Sequence, residues 1–544
     1  MGNDTSYCKR RKNNIVKNEL TKTKNMSTKK FFVIKIAAIV ALGGFLLGFD
    51  ASVISGVVKF IEPEFNLTKL QLGWAVSSIT LTAAVGMLIA GPMSDKHGRR
   101  RILKFAAILF TISAVGSALA GNFFWLIIFR MIGGFAVGAA LIIAPMYIAE
   151  VAPPEKRGQL VSFNQLNIVL GISIAFFTNY LILKWGNSDA EWTKTLGFDK
   201  WNWRWMLGLE AVPAIFYYLG LNLVPKSPRW LMTQNEKEEA LTIMKKVVSE
   251  EEAVLQMNAV EQNIHEDKNK AKSKVSDLFK KSMRKVIIIG IIVGVFQQIV
   301  GINAVLFYAP MIFEQTGIGT DASFIQAALV GVTNLGFTIV AMLVIDKFGR
   351  KPLLIIGMAG ISICLFLLSY GFNDATYTLS QEAIANLPKE INHDQIVQLQ
   401  DKVFENDLDF KAAIVSTLGE ESARIHESTL VTASAKMNTL LILIGIIGFV
   451  GAFAMSIGPV MWVLFSELFP TKIRGIAIAF VGFINLGVGF LVQLLFPWEL
   501  ASLGNAGTFL LFGIFAVIGF VFIWLKVPET KGKSLEELEE MLVK

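Results

Sequence analysis

The sequence predicts an all-α membrane protein of twelve transmembrane helices in two six-helix bundles. Three observations predict it: the composition, a series of apolar runs, and a set of motifs that occurs twice. Hydrophobic residues make up 53% of the 544 and charged residues only 17%, which is too apolar for a water-soluble chain of this length. Most of the chain must face lipid or other apolar helices.

The runs supply the element count. Stretches of roughly 20 apolar residues, the length that crosses a bilayer as a helix, occupy 31–58, 72–92, 102–120, 124–148, 160–183 and 205–224. The second series occupies 286–312, 324–345, 352–370, 440–465, 473–496 and 506–526. The first run is too long for a signal peptide and has no small-residue cleavage site, so it reads as a retained helix. Before it lie Lys9, Arg10, Arg11, Lys12, Lys17, Lys22, Lys24, Lys29 and Lys30 against Asp4 and Glu19. Lysine and arginine beside membrane spans stay on the cytoplasmic side, so the N-terminus is expected inside. An even number of spans places the C-terminus there too. Met26 is an alternative start, and the residues before it read as an extension without structure of its own.

The repeat divides the chain. Asp95-Lys96-His97-Gly98-Arg99-Arg100 after the second run recurs as Asp346-Lys347-Phe348-Gly349-Arg350-Lys351 after the eighth. Glu150-Val151-Ala152-Pro153 leading to Arg157-Gly158 recurs as Glu467-Leu468-Phe469-Pro470 leading to Arg474-Gly475. Val224-Pro225-Lys226-Ser227 ends the sixth run and Val527-Pro528-Glu529-Thr530 the twelfth. Two halves in the same orientation are what a parallel-repeat transporter requires, its substrate held between halves that rock against each other. The expected organisation is a cytoplasmic tail (1–30), a first bundle (31–225), a cytoplasmic helical segment (226–284), a second bundle (285–527) and a second tail (528–544). The second bundle carries an external loop at 371–436, acidic by eleven carboxylates to five basic residues. In it Ile396, Val397, Leu399, Val403 and Phe404 suggest a short amphipathic helix, and the loop as a whole reads as a solvated ornament, with partner binding as the alternative.

Several classes are excluded by what the chain carries. The net charge of +8 follows from topology, and no basic patch interleaved with aromatics points to nucleic acid. Cys8 in the tail and Cys364 in mid-span cannot plausibly pair, and no cluster has metal-ligand spacing. His97, His265, His393 and His426 all fall outside the runs, which removes an intramembrane histidine relay. No nucleophile with its base and no phosphate loop appears, so neither an enzyme nor a cofactor is expected.

The motifs, together with Gly43-Gly44-Phe45, Pro225 to Leu231, Gln297-Gln298 with Gly301-Ile302-Asn303, and Gly458 to Gly475, resemble the sugar porter family of the major facilitator superfamily. Proton-coupled bacterial sugar symporters are the members most similar in pattern. The resemblance implies the major facilitator fold, alternating access, and a monosaccharide or polyol as substrate, with the bilayer and a proton as the other partners. It also implies a protein that works as a monomer, in the bacterial inner membrane.

The residues support a neutral polyhydroxyl ligand on their own account. A sugar's hydroxyls both donate and accept, and amides match that without charge, while an amide inside the membrane is costly without a role or a partner. Gln165, Gln297, Gln298, Asn303, Asn334 and Asn485 all fall within runs. Helix-to-helix hydrogen bonding is the alternative for Asn334 and Asn485, whereas Gln165, Gln297, Gln298 and Asn303 coincide with sugar-binding positions of the resembled family. Trp462 suits the apolar face of a sugar, with a core tryptophan as the alternative. Where relatives commonly have two tyrosines this chain has Phe307-Tyr308. Ile172 and Leu486 likewise replace polar or aromatic family residues, which puts xylose itself in doubt and leaves glucose, galactose, another hexose or inositol open.

Coupling turns on Asp50, a carboxylate in mid-span that must be protonated, paired or both, with Arg130 of the fourth run as its partner. In the resembled family an Asp there marks proton symporters, and Glu210 matches a further acid of proton-coupled members. A passive facilitator with a static Asp50–Arg130 pair and a non-transporting sugar sensor are the rival readings. Glu150, Arg157, Arg99 and Arg100, with Glu467, Arg474, Arg350 and Lys351, are read as a cytoplasmic gate whose salt bridges lock the outward-facing state and break as the halves part, with charged loop ends that only fix topology as the alternative. Lys226, where relatives usually have Glu, is expected to weaken a link to the cytoplasmic helices.

Overall fold

The computed structural model describes residues 4–153, 156–269, 275–470, 473–533 and 535–542. Eleven helices among them are long and apolar enough to cross a membrane: Phe31–Glu64, Lys69–His97, Arg99–Ala118, Phe123–Val151, Arg157–Gly186, Lys281–Phe307, Thr320–Phe348, Arg350–Asn373, Thr439–Leu468, Arg474–Ser502 and Gly504–Lys526. The remaining apolar run, at 205–224, is helical in two pieces, Asn202–Gly208 and Ala211–Gly220. It is span six of twelve. Its joint at Leu209 and Glu210 lies four residues before Pro213, whose ring has no N–H and crowds the carbonyl of residue 209.

Two more spans are interrupted, both in the second half. Span seven breaks at Gly301, whose φ of +86° is left-handed, and again at Tyr308 ahead of Pro310. Span ten breaks at Ser456, with φ −127° and ψ −104°, ahead of Pro459. Proline alone does not cause this, since Pro92, Pro145 and Pro497 sit inside continuous helices. The breaks free backbone carbonyls inside the membrane, where each needs a partner.

The halves pack as the repeat implies. Within the first, span one lies against five and two against four; within the second, nine lies against ten and twelve, and seven against eleven. Between halves, span two meets eleven and span five meets eight. Advancing each span by six turns one of these seams into the other, so a two-fold axis relating the halves exchanges them. A Cβ on Gly73 would lie 2.0 Å from Leu494 O, so spans two and eleven touch backbone to backbone where only glycine fits. Thr80 Oγ1 to Gln493 Oε1 (2.7 Å) joins the same seam, and Ser173 Oγ to Gly331 O (2.7 Å) joins the other. The Gly73–Leu494 contact lies toward the ends of the spans opposite Arg99 and Arg350, so the molecule is closed on that face.

Residues 4–64 form one helix of 61 residues, about 90 Å long. The tail therefore continues span one, where an unstructured extension was expected; no Gly or Pro between Gly2 and Gly43 interrupts it. On the Arg99 face, Pro228–Thr233, Lys237–Lys245 and Glu250–Asn269 are helical, and Trp230 Nε1 donates to Asp95 O at 3.0 Å.

On the opposite face the loop after span nine is a folded domain. Strands Thr376–Tyr377 and Ala435–Lys436 pair antiparallel at its neck. Helices Gln381–Ala385, His393–Ile396, Asp407–Leu418 and Glu420–Ser434 follow. They close over a core of Tyr377, Leu379, Ile384, Phe410 and Leu430, with the Tyr377 and Phe410 rings stacked 5.7 Å apart. The helix expected around 396–404 is not there. After Ile396 comes a single 3-10 turn, Val397–Leu399. Asp401 then turns the chain with φ +56°, and Phe404 exchanges backbone hydrogen bonds with Tyr377 at 2.9 and 3.0 Å.

Candidate functional site

Four of the expected amides meet where spans seven, ten and eleven converge. Gln297 and Gln298 end the helix Arg284–Ile299, and the left-handed Gly301 turns the chain so that Asn303 comes back toward them. Asn303 Nδ2 donates to Gln298 Oε1 at 2.7 Å, and Gln298 Nε2 to Asn485 Oδ1 at 3.2 Å. Asn485 Nδ2 donates to Gln297 Oε1 and to Gly294 O, both at 2.8 Å. Gln297 Nε2 reaches Gly458 O at 3.3 Å and Ile457 O at 3.4 Å. Those carbonyls stand at the break in span ten, so the interruption and the amide array are one feature. Trp462, one turn on, is half-buried beside them. Its ring would lie 3.6 Å from a Cβ on Gly482, with Met87 of the first half on the same spot at 3.1 Å.

The other expected ligands are placed differently. Gln165 is half-buried in span five and Asn334 is buried in span eight, three residues from the Gly331 seam. Among the described residues no hydrogen bond joins either to the array. Tyr308 is fully buried and donates its hydroxyl to Gln493 O at 3.1 Å.

A buried charge cluster occupies the first half. Asp50 of span one and Arg130 of span four are 2% and 1% exposed, with Asp50 Oδ1 3.5 Å from Arg130 Nη1. Arg130 Nε donates to Ala75 O of span two at 2.9 Å. Glu210, also 2% exposed, stands at the joint of span six and acts electrostatically on Arg130. Asp50 Oδ2, Arg130 Nη2 and Glu210 Oε1 are buried without a protein hydrogen-bond partner. With Asp50, Arg130 and Glu210 all buried, the three groups together are neutral with one proton on the acids and negative with none. Burial penalises the second state by several kcal/mol or more per uncompensated charge.

The motifs build matching clusters at the ends of spans two to four and eight to ten. Arg99 pairs with Asp95 (2.8 Å) and Glu150 (3.0 Å), and Ser227 Oγ donates to Glu150 Oε2 at 2.5 Å. Arg350 pairs with Asp346 (3.2 Å) and Glu467 (2.8 Å), and Thr530 Oγ1 donates to Glu467 Oε2 at 2.6 Å. Each of these bridges lies inside its own half. Arg100 donates to Leu221 O and Asn222 O, Lys351 presents its backbone N–H to Glu529, Arg157 is exposed, and Arg474 Nε donates to Phe469 O. The middles of the two Glu–Arg motifs, 154–155 and 471–472, lie outside the described residues. Lys226 bonds Glu236 (3.2 Å) and Glu239 (2.9 Å), both within the cytoplasmic segment.

Sequence reasoning missed two contacts between the halves. Lys59 of span one pairs with Glu314, only 2% exposed, and with Thr320. Glu314 lies beyond the apolar run and 255 residues from its partner, so no local pattern announces it. Gln493 is fully buried and bonds Thr80 of the other half. An amide inside an apolar run, the signal that singled out Asn485, was present there too.

Two six-span halves, an amide array in one and a buried acid pair in the other, closed on one face, define a secondary transporter of the membrane. Comparison with known proteins is consistent with this. The family described as sugar (and other) transporter matches residues 36–387 and 422–542. The arabinose-proton symporter of Bacillus subtilis is 36% identical over 517 residues, covering 94% of this chain and 96% of that one. The D-xylose-proton symporter of Escherichia coli K12 is 35% identical over 543, with the same coverage. A partially occluded, inward-open structure of the xylose transporter XylE from E. coli superposes with a TM-score of 0.70 at 33% identity, covering 92% of this chain and 99% of that one. The chain belongs to the sugar transporter family, with the major facilitator fold, and is a transporter and not an enzyme.

Proposed function

We propose that the protein imports a monosaccharide or polyol together with a proton by alternating access, as a monomer in the bacterial inner membrane with both termini in the cytoplasm. The observation that carries this is the pairing of an uncharged amide array with a buried Asp50–Arg130–Glu210 cluster that one proton makes neutral. The names of the relatives as proton symporters support it. So do the basic tail before span one and the basic ends of spans two and eight, which belong on the cytoplasmic side.

In this mechanism Asn303, Gln297, Gln298 and Asn485 exchange hydrogen bonds among themselves for hydrogen bonds to the sugar, with Trp462 against its apolar face. Gln165 and Asn334 approach from the facing spans. Tyr308 closes the outer end through Gln493. The cluster takes its proton from outside, which loosens Asp50 from Arg130 and permits the inward transition, and releases it to the cytoplasm. Glu150, Arg157, Arg99 and Arg100 with Glu467, Arg474, Arg350 and Lys351 form the gate on that side, re-pairing as the halves part and meet. With Phe307, Ile172 and Leu486 in place of more polar or aromatic residues, the pocket suits glucose, galactose, another hexose or inositol better than xylose.

Asp50→Asn in proteoliposomes tests the coupling. Accumulation against a gradient should vanish while sugar counterflow survives. Unchanged accumulation would mean a passive role for Asp50 and return the reading to a facilitator.

A further inference from the structure

We infer that the folded domain at 374–438 is an outer latch: it travels with the second half and closes the transporter by clasping the first half at residues 66–69. The inference rests on the transporter reading above and assigns a task to a segment which that reading leaves idle.

The domain is joined to the two halves in different ways. To the second half it is welded. Its two chain ends leave through the paired strands at the neck directly into spans nine and ten. Asp407, 6% exposed, accepts from the backbone N–H and the side-chain amide of Asn505 at 3.3 and 3.2 Å. Lys411 pairs with Asp407 at 3.0 Å and donates to Leu500 O at 3.5 Å. Thr432 Oγ1 donates to Glu314 O at 3.1 Å. Buried hydrogen bonds of this kind are costly to leave unmade.

To the first half it is joined by side-chain tips. On the helix Glu420–Ser434, Arg424 and Glu427 stand three residues apart and so share a face. They meet Asn66 and Lys69, also three apart, at the start of span two. Arg424 donates to Asn66 Oδ1, and Glu427 lies 3.5 Å from Lys69 Nζ. Lys69 is held ready by Glu62 at 2.8 Å. Between this clasp and the neck the surfaces do not pack: a cavity of about 370 Å³ remains, lined by Lys59, Thr320, Asn386, Ser428 and Thr432 among others. Interiors that never separate are filled to crystal density. A contact made by two pairs of partly exposed side-chain tips beside a gap is one that can open. Opening the outer face must also part Lys59 from Glu314, the deeper contact beneath the clasp. Each partly exposed pair shifts the closed-to-open ratio by roughly two- to fivefold, enough to bias a cycle without stalling it.

The test joins the domain to each half in turn. In a Cys8→Ser, Cys364→Ser protein, Lys69→Cys with Glu427→Cys ties it to the first half, and Leu408→Cys with Leu503→Cys ties it to the second. A short reducible bis-thiol cross-linker should stop sugar uptake in the first pair, with recovery on reduction, and leave the second pair active. Uptake that persists in the first, or stops in the second, overturns the latch. Uptake before cross-linking checks the transporter reading in the same vesicles. Independently of transport, spin labels at Leu70 and Ser428 should give two distances across sugar-free, sugar-loaded and acidified conditions, and labels at Leu503 and Ser428 only one. A single distance in both pairs overturns the proposal whatever the uptake shows. Glu427→Gln should raise the open population two- to fivefold, and no change would remove Glu427 from the clasp.

Discussion

The two halves build their charged motif clusters from the same kinds of groups and then differ in the sign of charge at one position. Arg99, Glu150 and Ser227 in the first half correspond to Arg350, Glu467 and Thr530 in the second, with the hydroxyl on the far carboxylate oxygen in both. The residue before each hydroxyl has opposite charge. Glu529 accepts the backbone N–H groups of Arg350 and Lys351 at 3.1 Å each, capping span nine where its dipole is positive. Lys226, which has no acceptor to offer the corresponding start of span three, bonds Glu236 and Glu239 instead. Four breaks in the helices show the same asymmetry: one in the first half, beside the acids, and three in the second, beside the amides. The duplicated chain thus divides the labour, with charge handled in one half and hydrogen bonding in the other.

That division can be broken most severely at the amides. Gln298→Ala removes a side chain that bonds both Asn303 and Asn485, and should weaken sugar binding about 100-fold, or roughly 2.7 kcal/mol. Gln165→Ala, outside the array, should cost no more than about tenfold. Isothermal titration or counterflow with a panel of hexoses reads both, and equal losses would show that the halves share recognition evenly.

The next effect is smaller and concerns the clusters. Glu150→Ala leaves the Arg99 guanidinium, 11% exposed, with the exposed Asp95 and the Ser94 carbonyl, and should destabilise by about 2 kcal/mol, the range for a hydrogen bond to a charged group. Glu467→Ala should cost less, because Glu467 is 22% exposed where Glu150 is 7%. Denaturation in one detergent ranks them. The smallest effect sharpens the comparison at its point of divergence. Glu529→Gln should weaken the cap on span nine by about 1 kcal/mol, while Lys226→Gln should change global stability by less than about 0.5 kcal/mol. Hydrogen exchange should report the Lys226 change at 237–245 and the Glu529 change at 350–353.

Much of this was readable from the chain, and the limits have physical causes. The spans follow from bilayer thickness alone, and the repeat already implied that span two would face eleven if five faced eight. Asp50 and Arg130 announce each other because a charge inside an apolar run has few permitted neighbours. The joint at Glu210 was hidden because hydropathy averages over a break that Pro213 makes sharp. The outer domain was misread because its helices are only 4 to 15 residues long and its core is assembled from residues as far apart as Tyr377 and Leu430. Lys59–Glu314 and Thr80–Gln493 join residues more than 250 positions apart, and only the folded halves bring them together.

The two joints in span seven bear on leakage. The piece Ala309–Glu314 carries the partner of Lys59 at its tip and is connected to Gln297 and Gln298 only through Tyr308 and Gly301. A segment jointed at both places can swing shut over an occupied amide array before the far side parts. Entry and exit made successive in this way would leave the membrane closed from end to end at every moment. For a carrier driven by a proton gradient, that ordering separates a machine from a short circuit.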